Sequence, residues 1–169
     1  MSNADSRIEE HIPSLRRYAR ALLGERSRAD DLVQDTLERA CGRFHLWRSG
    51  SDLRAWLFTI MHNLYVNQLR QGTSASAGVP LEEEALNVSV RATQEDGLEM
   101  RDLMAALARL PDEFREVVLL VGLEQLRYEE VAQVLGIPLG TVMSRLARGR
   151  ERLRALMSGT AAPALRRVK

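Results

Sequence analysis

The sequence has little of several residue types on which common kinds of site depend. Cys41 is the single cysteine, which excludes a disulfide within the chain, and His11, His45 and His62 match no usual zinc-ligand spacing. We therefore expect no metal and no other cofactor. No run of eighteen apolar residues occurs, and the N-terminus has no basic segment followed by an apolar stretch. We expect no membrane insertion, no signal peptide and a cytoplasmic location.

The chain also lacks the residue sets that support catalysis. Its motifs provide no nucleophile with an adjacent base, no phosphate-binding glycine loop and no paired-carboxylate pocket. We therefore expect no enzymatic activity. Aromatic residues make up only 5% of the 169 residues, but apolar residues make up 45%. This apolar content is enough for one ordinary domain or two small helical domains.

The charges are unevenly distributed, although the formal net charge is only +1. Residues 1–71 hold eleven basic and nine acidic side chains, residues 72–99 hold one and six, and residues 100–169 hold twelve and eight. From Thr141 onward there are eight basic residues and one acid, Glu151, which suits binding to a phosphate backbone. All but one of the 24 basic residues are arginine, which favours bidentate contacts, although a GC-rich genome would produce the same bias.

Apolar residues recur at helical spacing almost throughout the chain, and no sustained two-residue alternation indicates a sheet. The predicted fold class is all-α. Pairs that resemble capping boxes, Ser27 with Asp30 and Thr93 with Asp96, predict two helix starts, and Pro13 predicts the start or a bend of another helix. The expected helices cover about 7–24, 27–41, 51–71, 93–110, 112–123, 127–135 and 140–157.

Residues 72–93 are small and polar and then acidic, with no sustained period. This composition predicts a flexible linker between a first domain at 1–71 and a second domain at 94–158, followed by a basic tail at 159–169. With such a linker, we expect two separate domains rather than one packed body.

Residues 128–154 have the spacing of a helix-turn-helix. Ala132 is small where two helices must approach each other, and Gly136 can adopt the left-handed conformation that ends the first helix. The predicted buried stripe of the second helix is Val142, Leu146, Gly149, Leu153 and Leu156. The opposite face holds the candidate duplex-DNA-binding residues Thr141, Ser144, Arg145, Arg148 and Arg152. The alternative interpretation is a solvated arginine-rich face of an ordinary helical bundle.

The second predicted helix has an acidic face opposite its apolar stripe. The residues of this face are Asp31, Gln34, Asp35 and Glu38. Clustered acids repel DNA, so the face is either solvated, which spacing alone favours, or a docking surface for a basic protein.

The third predicted helix combines a core stripe with a second stripe that suits binding to unpaired bases. The core stripe is Leu53, Leu57, Ile60 and Leu64, and the second consists of Trp56, Thr59, Asn63, Asn67 and Arg70. Asparagines beside an aromatic ring and an arginine can hold an extruded base, although a lone tryptophan is more often a core residue. The preceding loop has the aromatic and basic side chains that single-strand binding requires, namely Arg43, Phe44, Trp47 and Arg48.

Three segments together resemble the second and fourth conserved regions of extracytoplasmic-function (ECF) sigma factors, in the family's order and spacing. They are RADDLVQDTLERA, SDLRAWLFTIMHNLYVNQLR and LPDEFREVVLLVGLEQLRYEEVAQVLGIPLGTVMSRLARGR. The resemblance implies a sigma factor that directs core RNA polymerase to promoters, reading the minus-thirty-five element as duplex and the minus-ten element as melted strand. It also implies three partners: the clamp coiled coil and flap of the two largest polymerase subunits, promoter DNA, and an anti-sigma factor.

The resemblance also implies roles for individual residues. Asp31, Gln34 and Asp35 match the family's surface for the clamp coiled coil. The loop at 44–51 and the helix with Asn63 and Asn67 match the elements that melt and read the minus-ten element, and Ser144, Arg145 and Arg148 match the helix that reads the minus-thirty-five element. Two residues depart from the pattern: Met143 stands where arginine is common, which leaves one DNA contact open, and Gly149 stands where alanine is common.

A stand-alone helix-turn-helix regulator is the rival interpretation. Such a protein would bind a palindromic operator as a dimer, without polymerase. This reading leaves the acidic face around Asp31 and Asp35 without a role.

Overall fold

The computed structural model describes residues 3–74 and 94–159. The first range contains α1 (Asn3–Glu9), α2 (Ile12–Leu23), α3 (Arg26–Arg43), a 3-10 helix (Phe44–Leu46) and α4 (Leu53–Ser74). The second contains α5 (Gln94–Arg109), α6 (Asp112–Gly122), α7 (Tyr128–Leu135) and α8 (Leu139–Met157). Neither described range contains a strand, and the predicted all-α fold is confirmed.

The first helical segment is interrupted near Pro13, as its sequence predicts. Proline fits the first turn of α2 because the N–H that it lacks has no partner within the helix there. The helix ends at Gly24, whose φ of 72° is left-handed and whose N–H donates to the Arg20 carbonyl at 2.9 Å.

The predicted capping pair at Ser27 and Asp30 is wrong. Helix α3 already begins at Arg26 after Glu25, and no side chain caps its first turn. Asp30 lies instead on the helix surface, 4.0 Å from side-chain nitrogens of both Arg20 and Arg26. The Asp30 carboxylate therefore faces two arginine side chains, and it does not turn back to the start of the helix as a capping residue would.

Helix α4 has the predicted start and a later end. An Asp52 carboxylate oxygen accepts hydrogen bonds from the backbone N–H groups of Arg54 at 3.0 Å and Ala55 at 3.3 Å, so Asp52 caps the helix. The helix continues through Gly72 to Ser74. The rest of the predicted linker, the capping position Thr93 and the tail from residue 160 lie outside the described residues.

The first domain is built on α2, α3 and α4. Leu15, Leu32 and Leu57 are fully buried between these helices, and Tyr18 packs edge-on against Phe58 with ring centroids 5.2 Å apart. The predicted core stripe of α4 is buried, apart from a partly exposed Leu64. However, α4 also buries residues that the stripe did not include, namely Phe58, Met61 and Tyr65.

The second domain is the predicted helix-turn-helix supported by α5 and α6. Helix α7 ends at Gly136, whose φ is 65° and whose N–H bonds back to the Ala132 carbonyl, as its sequence predicts. Val142, Leu146 and Gly149 of the predicted stripe are buried, and Leu153 and Leu156 are partly buried.

The two domains pack against each other, which differs from the expectation of two separate bodies. Helix α7 lies against α4, and α5 and α6 lie against α2. This contact explains why α4 is buried on more than one side. Buried carboxylates of the second domain pair with side chains of the first, a long-range arrangement that leaves no periodic signal in the sequence.

Candidate nucleic-acid and polymerase interfaces

The predicted duplex-binding residues lie along one side of α8. Ser144, Arg148 and Arg152 are exposed, whereas Thr141 and Arg145 are partly exposed. The Ser144 hydroxyl donates to the Thr141 carbonyl at 3.2 Å, which is an ordinary contact within a helix and leaves the hydroxyl oxygen able to accept. The helix therefore presents hydroxyl and guanidinium groups together on a surface that faces solvent.

Two of the three candidate arginines on α8 also contact α6. A guanidinium nitrogen of Arg145 lies 3.8 Å from a Glu113 carboxylate oxygen, and the Arg152 guanidinium stacks 4.9 Å from the centroid of the Phe114 ring. These contacts restrict the directions in which both side chains can point. Arg148 lies between them in the sequence and is exposed, so it is the arginine best placed to reach outward.

Two exposed apolar residues, Leu139 and Met143, lie at the start of α8. Leu139 is 41% exposed and Met143 is 53% exposed, and the spacing of four residues puts them on one side of the helix. Met143 departs from the family pattern, whereas nothing in that pattern marks Leu139. The missed signal was an apolar residue directly after Pro138, where a helix begins.

The acidic face of α3 is present as predicted. Asp31, Gln34, Asp35 and Glu38 are all exposed, and the Gln34 amide donates to a Glu38 carboxylate oxygen at 3.2 Å. The buried residues Leu32, Val33, Thr36 and Ala40 lie on the other side of the helix. The carboxylates are therefore available to a partner with positive charge.

The structure separates the candidate single-strand-binding residues of α4 into two groups. Asn63, Asn67 and Arg70 are exposed along the helix, and Trp56 and Thr59 are partly buried. The Thr59 hydroxyl donates to the Ala55 carbonyl at 2.9 Å. The exposed amides can therefore bind a base edge, but the threonine hydroxyl proton is already used.

Trp47 is buried, although its sequence context predicts an exposed ring that could bind a single strand. Its side chain is only 8% exposed, its ring centroid is 5.4 Å from that of Phe44, and the Arg7 guanidinium lies 4.6 Å from it. A large apolar ring is more stable in such a position than in water, and the sequence pattern could not distinguish the two. Arg43 and Arg48 of the same loop are exposed, as expected.

Leu46 is an exposed apolar residue of this loop that no sequence pattern singles out. It is the most exposed large apolar side chain among the described residues, at 64%. The next residue, Trp47, is buried, so two successive apolar residues of the loop differ in exposure. The only available signal was its place within an aromatic and basic loop.

Neither metal binding nor membrane crossing finds support in the described ranges. Within residues 3–74 and 94–159, no three side chains of metal-ligating type are grouped. Over the same residues, no helix has the length and apolar character needed to cross a bilayer.

Comparison with known proteins identifies both domains. Residues 8–62 match the family described as the Sigma2 domain of PhyR, and residues 100–153 match Sigma-70, region 4. The ECF RNA polymerase sigma factor EcfG of Rhodopseudomonas palustris is 39% identical over 150 residues, which cover 86% of this chain and 80% of that protein. The chain belongs to the ECF sigma factor family.

Two other relatives agree with this assignment. SigE of Mycolicibacterium smegmatis, also an ECF RNA polymerase sigma factor, is 34% identical over 91% of this chain and 61% of its own length. The sigma factor RpoE of Bartonella quintana, solved in complex with the anti-sigma factor NepR, has a TM-score of 0.77 and 34% identity over 91% of this chain and 96% of that chain. This sigma factor is thus similar to RpoE across both domains.

Family membership makes the chain a promoter-directing subunit of RNA polymerase. The rival interpretation, a stand-alone helix-turn-helix regulator, does not account for a match that includes the first domain. From here on, region 2 denotes the first domain and region 4 the second.

Proposed function

We propose that this sigma factor reads the minus-thirty-five element as duplex with α8 and holds the melted minus-ten strand with α4 and the loop before it. The observation that carries the proposal is the presence of two exposed surfaces of different chemistry, one on each domain. Hydroxyls and arginines lie on α8, whereas exposed amides and an arginine lie on α4.

The surface of α8 suits the major groove of duplex DNA. An α-helix fits that groove, and a guanidinium can donate two hydrogen bonds to the O6 and N7 atoms of a guanine. Arg148 is the arginine assigned to a base, since it is exposed and the neighbouring arginines contact α6. Thr141 and Ser144 are assigned to phosphates, which hydroxyls bind without regard to sequence.

The surface of α4 suits unpaired bases. The amides of Asn63 and Asn67 each offer donors and an acceptor, which match the Watson–Crick edge of a flipped base. Arg70, Arg43 and Arg48 are exposed on α4 and on the preceding loop and would bind the strand's phosphates. Asn63 is assigned to the flipped base because its family counterpart lies in the helix that reads the minus-ten element.

We assign the partners on the same basis. The exposed acids of α3 would bind the clamp coiled coil of the polymerase, and region 4 would bind its flap. RpoE of Bartonella quintana was solved with an anti-sigma factor, and we propose a regulator of that class for this chain as well. The chain would act in the cytoplasm and catalyse no reaction of its own.

Run-off transcription with core polymerase on a cognate promoter tests the two assignments. We expect Arg148→Ala to reduce transcription by about 5- to 150-fold, the equivalent of the 1–3 kcal/mol of one base contact. Asn63→Ala should also reduce transcription, and the loss should shrink on a template whose minus-ten region is already mismatched. Arg101→Ala is the matched control, since Arg101 is exposed on α5, outside the surfaces assigned to DNA and polymerase. Normal transcription by a variant with both Asn63→Ala and Arg148→Ala would remove the assignment.

A core-polymerase pull-down tests the rival class separately. A sigma factor should be captured by purified core enzyme and should bind promoter duplex weakly when alone. A stand-alone regulator would show the reverse, with tight binding to duplex and no capture.

A further inference from the structure

Glu124 joins the two domains of this sigma factor. It lies between α6 and α7, and its carboxylate side chain is 0% exposed. The two carboxylate oxygens accept hydrogen bonds from Arg17 Nε and Nη2, both at 2.8 Å. Arg54 Nη2 donates to the same carboxylate at 2.9 Å and to the Glu124 backbone carbonyl at 2.6 Å. We call Arg17, Arg54 and Glu124 the latch.

Two further polar pairs cross the same interface. His62 Nδ1 lies 2.6 Å from a carboxylate oxygen of buried Glu116, and the Tyr65 hydroxyl donates to Asp112 at 2.9 Å. Burial and the neighbouring Asp112 carboxylate raise the pKa of Tyr65 well above its ordinary value, so this hydroxyl remains a donor. In both pairs and in the latch, region 4 supplies the carboxylate and region 2 supplies the donor or titratable ring.

Such an interface is specific and yet able to open. A buried carboxylate without a partner is costly, so Glu124 strongly favours the position in which both arginines reach it. Arg17 is 51% exposed, so water already solvates one partner of the latch. Polar contacts between domains of one chain resemble transient interfaces, and relative motion is their default.

The packed arrangement conflicts with reading both promoter elements at once. Helix α4 packs on α7, and α7 packs on α8, so about two helix-packing distances, or roughly 20 Å, separate the two reading helices. The minus-ten and minus-thirty-five elements are more than two duplex turns apart, which is about 70 Å or more. The domains must therefore separate before both helices reach their elements.

We propose that the packed arrangement is an autoinhibited state of the free sigma factor, held closed by the latch. The inhibitory role rests on the proposed function, whereas the latch itself rests only on the contacts across the interface. The similarity to RpoE, which extends over 91% of this chain, places both domains of that anti-sigma-bound protein in a comparable arrangement. In this sigma factor, the latch residues would hold the two domains in a similar closed arrangement without a partner protein.

Small-angle X-ray scattering of the full chain tests the latch directly. The closed wild-type protein should have a radius of gyration of about 15 Å. Glu124→Gln keeps the side-chain shape but removes its charge, and the radius should rise by about a quarter or more as the domains separate. The variant Arg17→Gln with Arg54→Gln should give the same rise from the other domain. Glu99→Gln, an exposed acid on α5, should leave the radius unchanged.

The helical circular dichroism of each variant keeps this result interpretable. A local folding defect would affect only the domain that carries the substitution, whereas loss of the latch gives the same expansion from either side. An expanded wild-type chain, or unchanged radii in both latch variants with full helical signal, would overturn the proposal.

Binding to core polymerase then tests the inhibitory role. If the wild-type chain is closed about nine-tenths of the time, freeing the domains should tighten apparent binding by about 10-fold. Equal binding by wild type and an expanded Glu124→Gln variant would overturn autoinhibition. Expansion of the variants with no polymerase binding by any form would instead contradict the proposed function and leave the latch standing.

Discussion

Gly149 allows α8 to approach α6 closely. A Cβ atom at this position would lie 2.8 Å from Val118 Cγ2 and 3.3 Å from Phe114 Cβ. Alanine gains about 1 kcal/mol of helix propensity, but Val118 Cγ2 must move aside and Phe114 Cβ must shift slightly, so we expect Gly149→Ala to be close to neutral. Valine adds two more methyl groups against the α6 backbone, and we expect Gly149→Val to destabilise the protein by about 2 kcal/mol.

Urea unfolding of the two variants and the wild type checks this expectation. The difference between valine and alanine is the informative quantity, because both remove the glycine and only one overfills the contact. Equal stability of the valine variant and the wild type would mean that the helices are not in close contact here.

Met143 and Leu139 form an exposed apolar strip in the first turns of α8. Methyl groups of thymine are the apolar feature of the major groove, and a good base contact contributes about 1–3 kcal/mol of discrimination. We expect the wild type to prefer thymine at one minus-thirty-five position and Met143→Arg to shift that preference toward guanine. Transcription from a pool of promoters randomised in this element measures the change.

The control for this experiment is Met157→Arg, since Met157 is an exposed methionine at the far end of the same helix. The control should keep the wild-type preference while adding the same charge. Identical preferences for all three proteins would show that Met143 does not face the bases.

At the level of elements, the start of α4 depends on Asp52. The Asp52 carboxylate accepts two backbone N–H groups, and Asp52→Ala should destabilise the protein by about 1 kcal/mol at pH 7. Asp52→Asn keeps a side-chain acceptor, so it should lose less of the free energy of unfolding than Asp52→Ala. Denaturant unfolding of the three proteins provides the comparison, and equal losses in both variants would contradict a capping role.

The same cap predicts a pH dependence. Burial raises the pKa of Asp52, but hydrogen bonds donated to its carboxylate by the protonated form of the Glu130 carboxyl and by the Ala55 and Arg54 N–H groups bring it below its ordinary value. A depressed carboxyl pKa stabilises the fold above the ordinary pKa of about 3.9, and this contribution disappears as the pH falls through the folded value. The stability difference between wild type and Asp52→Ala should therefore narrow from pH 7 to pH 3.

Helix ends were predictable where one residue determines them. Gly136 and Asp52 each act through a local property, a left-handed φ in one case and a short carboxylate in the other. Ser27 also has a short side chain with an oxygen that could cap a helix, but it does not cap α3, because α3 starts at the residue before it. Trp47 and Trp56 show the corresponding limit for the site, since both were candidates for binding bases and the pattern cannot tell that Trp47 is buried and Trp56 only partly so.

At the scale of the whole molecule, the fold class and the order of the two regions followed from periodicity and motifs, whereas their packing did not. Arg17 and Glu124 are 107 positions apart, and each by itself reads as a surface charge. Only the folded chain brings them together. The burial of Tyr65 on α4 has the same origin in part, because its hydroxyl donates to Asp112 of region 4.

The acidic face of α3 yields a prediction about how the molecule assembles. Asp31 and Asp35 are exposed one helical turn apart, and complementary charge both speeds encounter and fixes orientation. We expect the double reversal Asp31→Lys and Asp35→Lys to weaken capture by core polymerase at least about 10-fold, since several unfavourable charge contacts replace favourable ones. Fluorescence titration against purified core enzyme measures the affinity.

A matched control distinguishes the effect of this face on polymerase binding from the effect of the net charge of the chain. Glu9→Lys with Glu99→Lys reverses two exposed acids on α1 and α5 and changes the net charge by the same amount. If the α3 face docks on a basic surface, the control should bind core enzyme nearly as well as the wild type, and only the α3 variant should lose its salt-dependent component. Equal weakening in both double variants would show that the polymerase senses the overall charge of the chain and not this face.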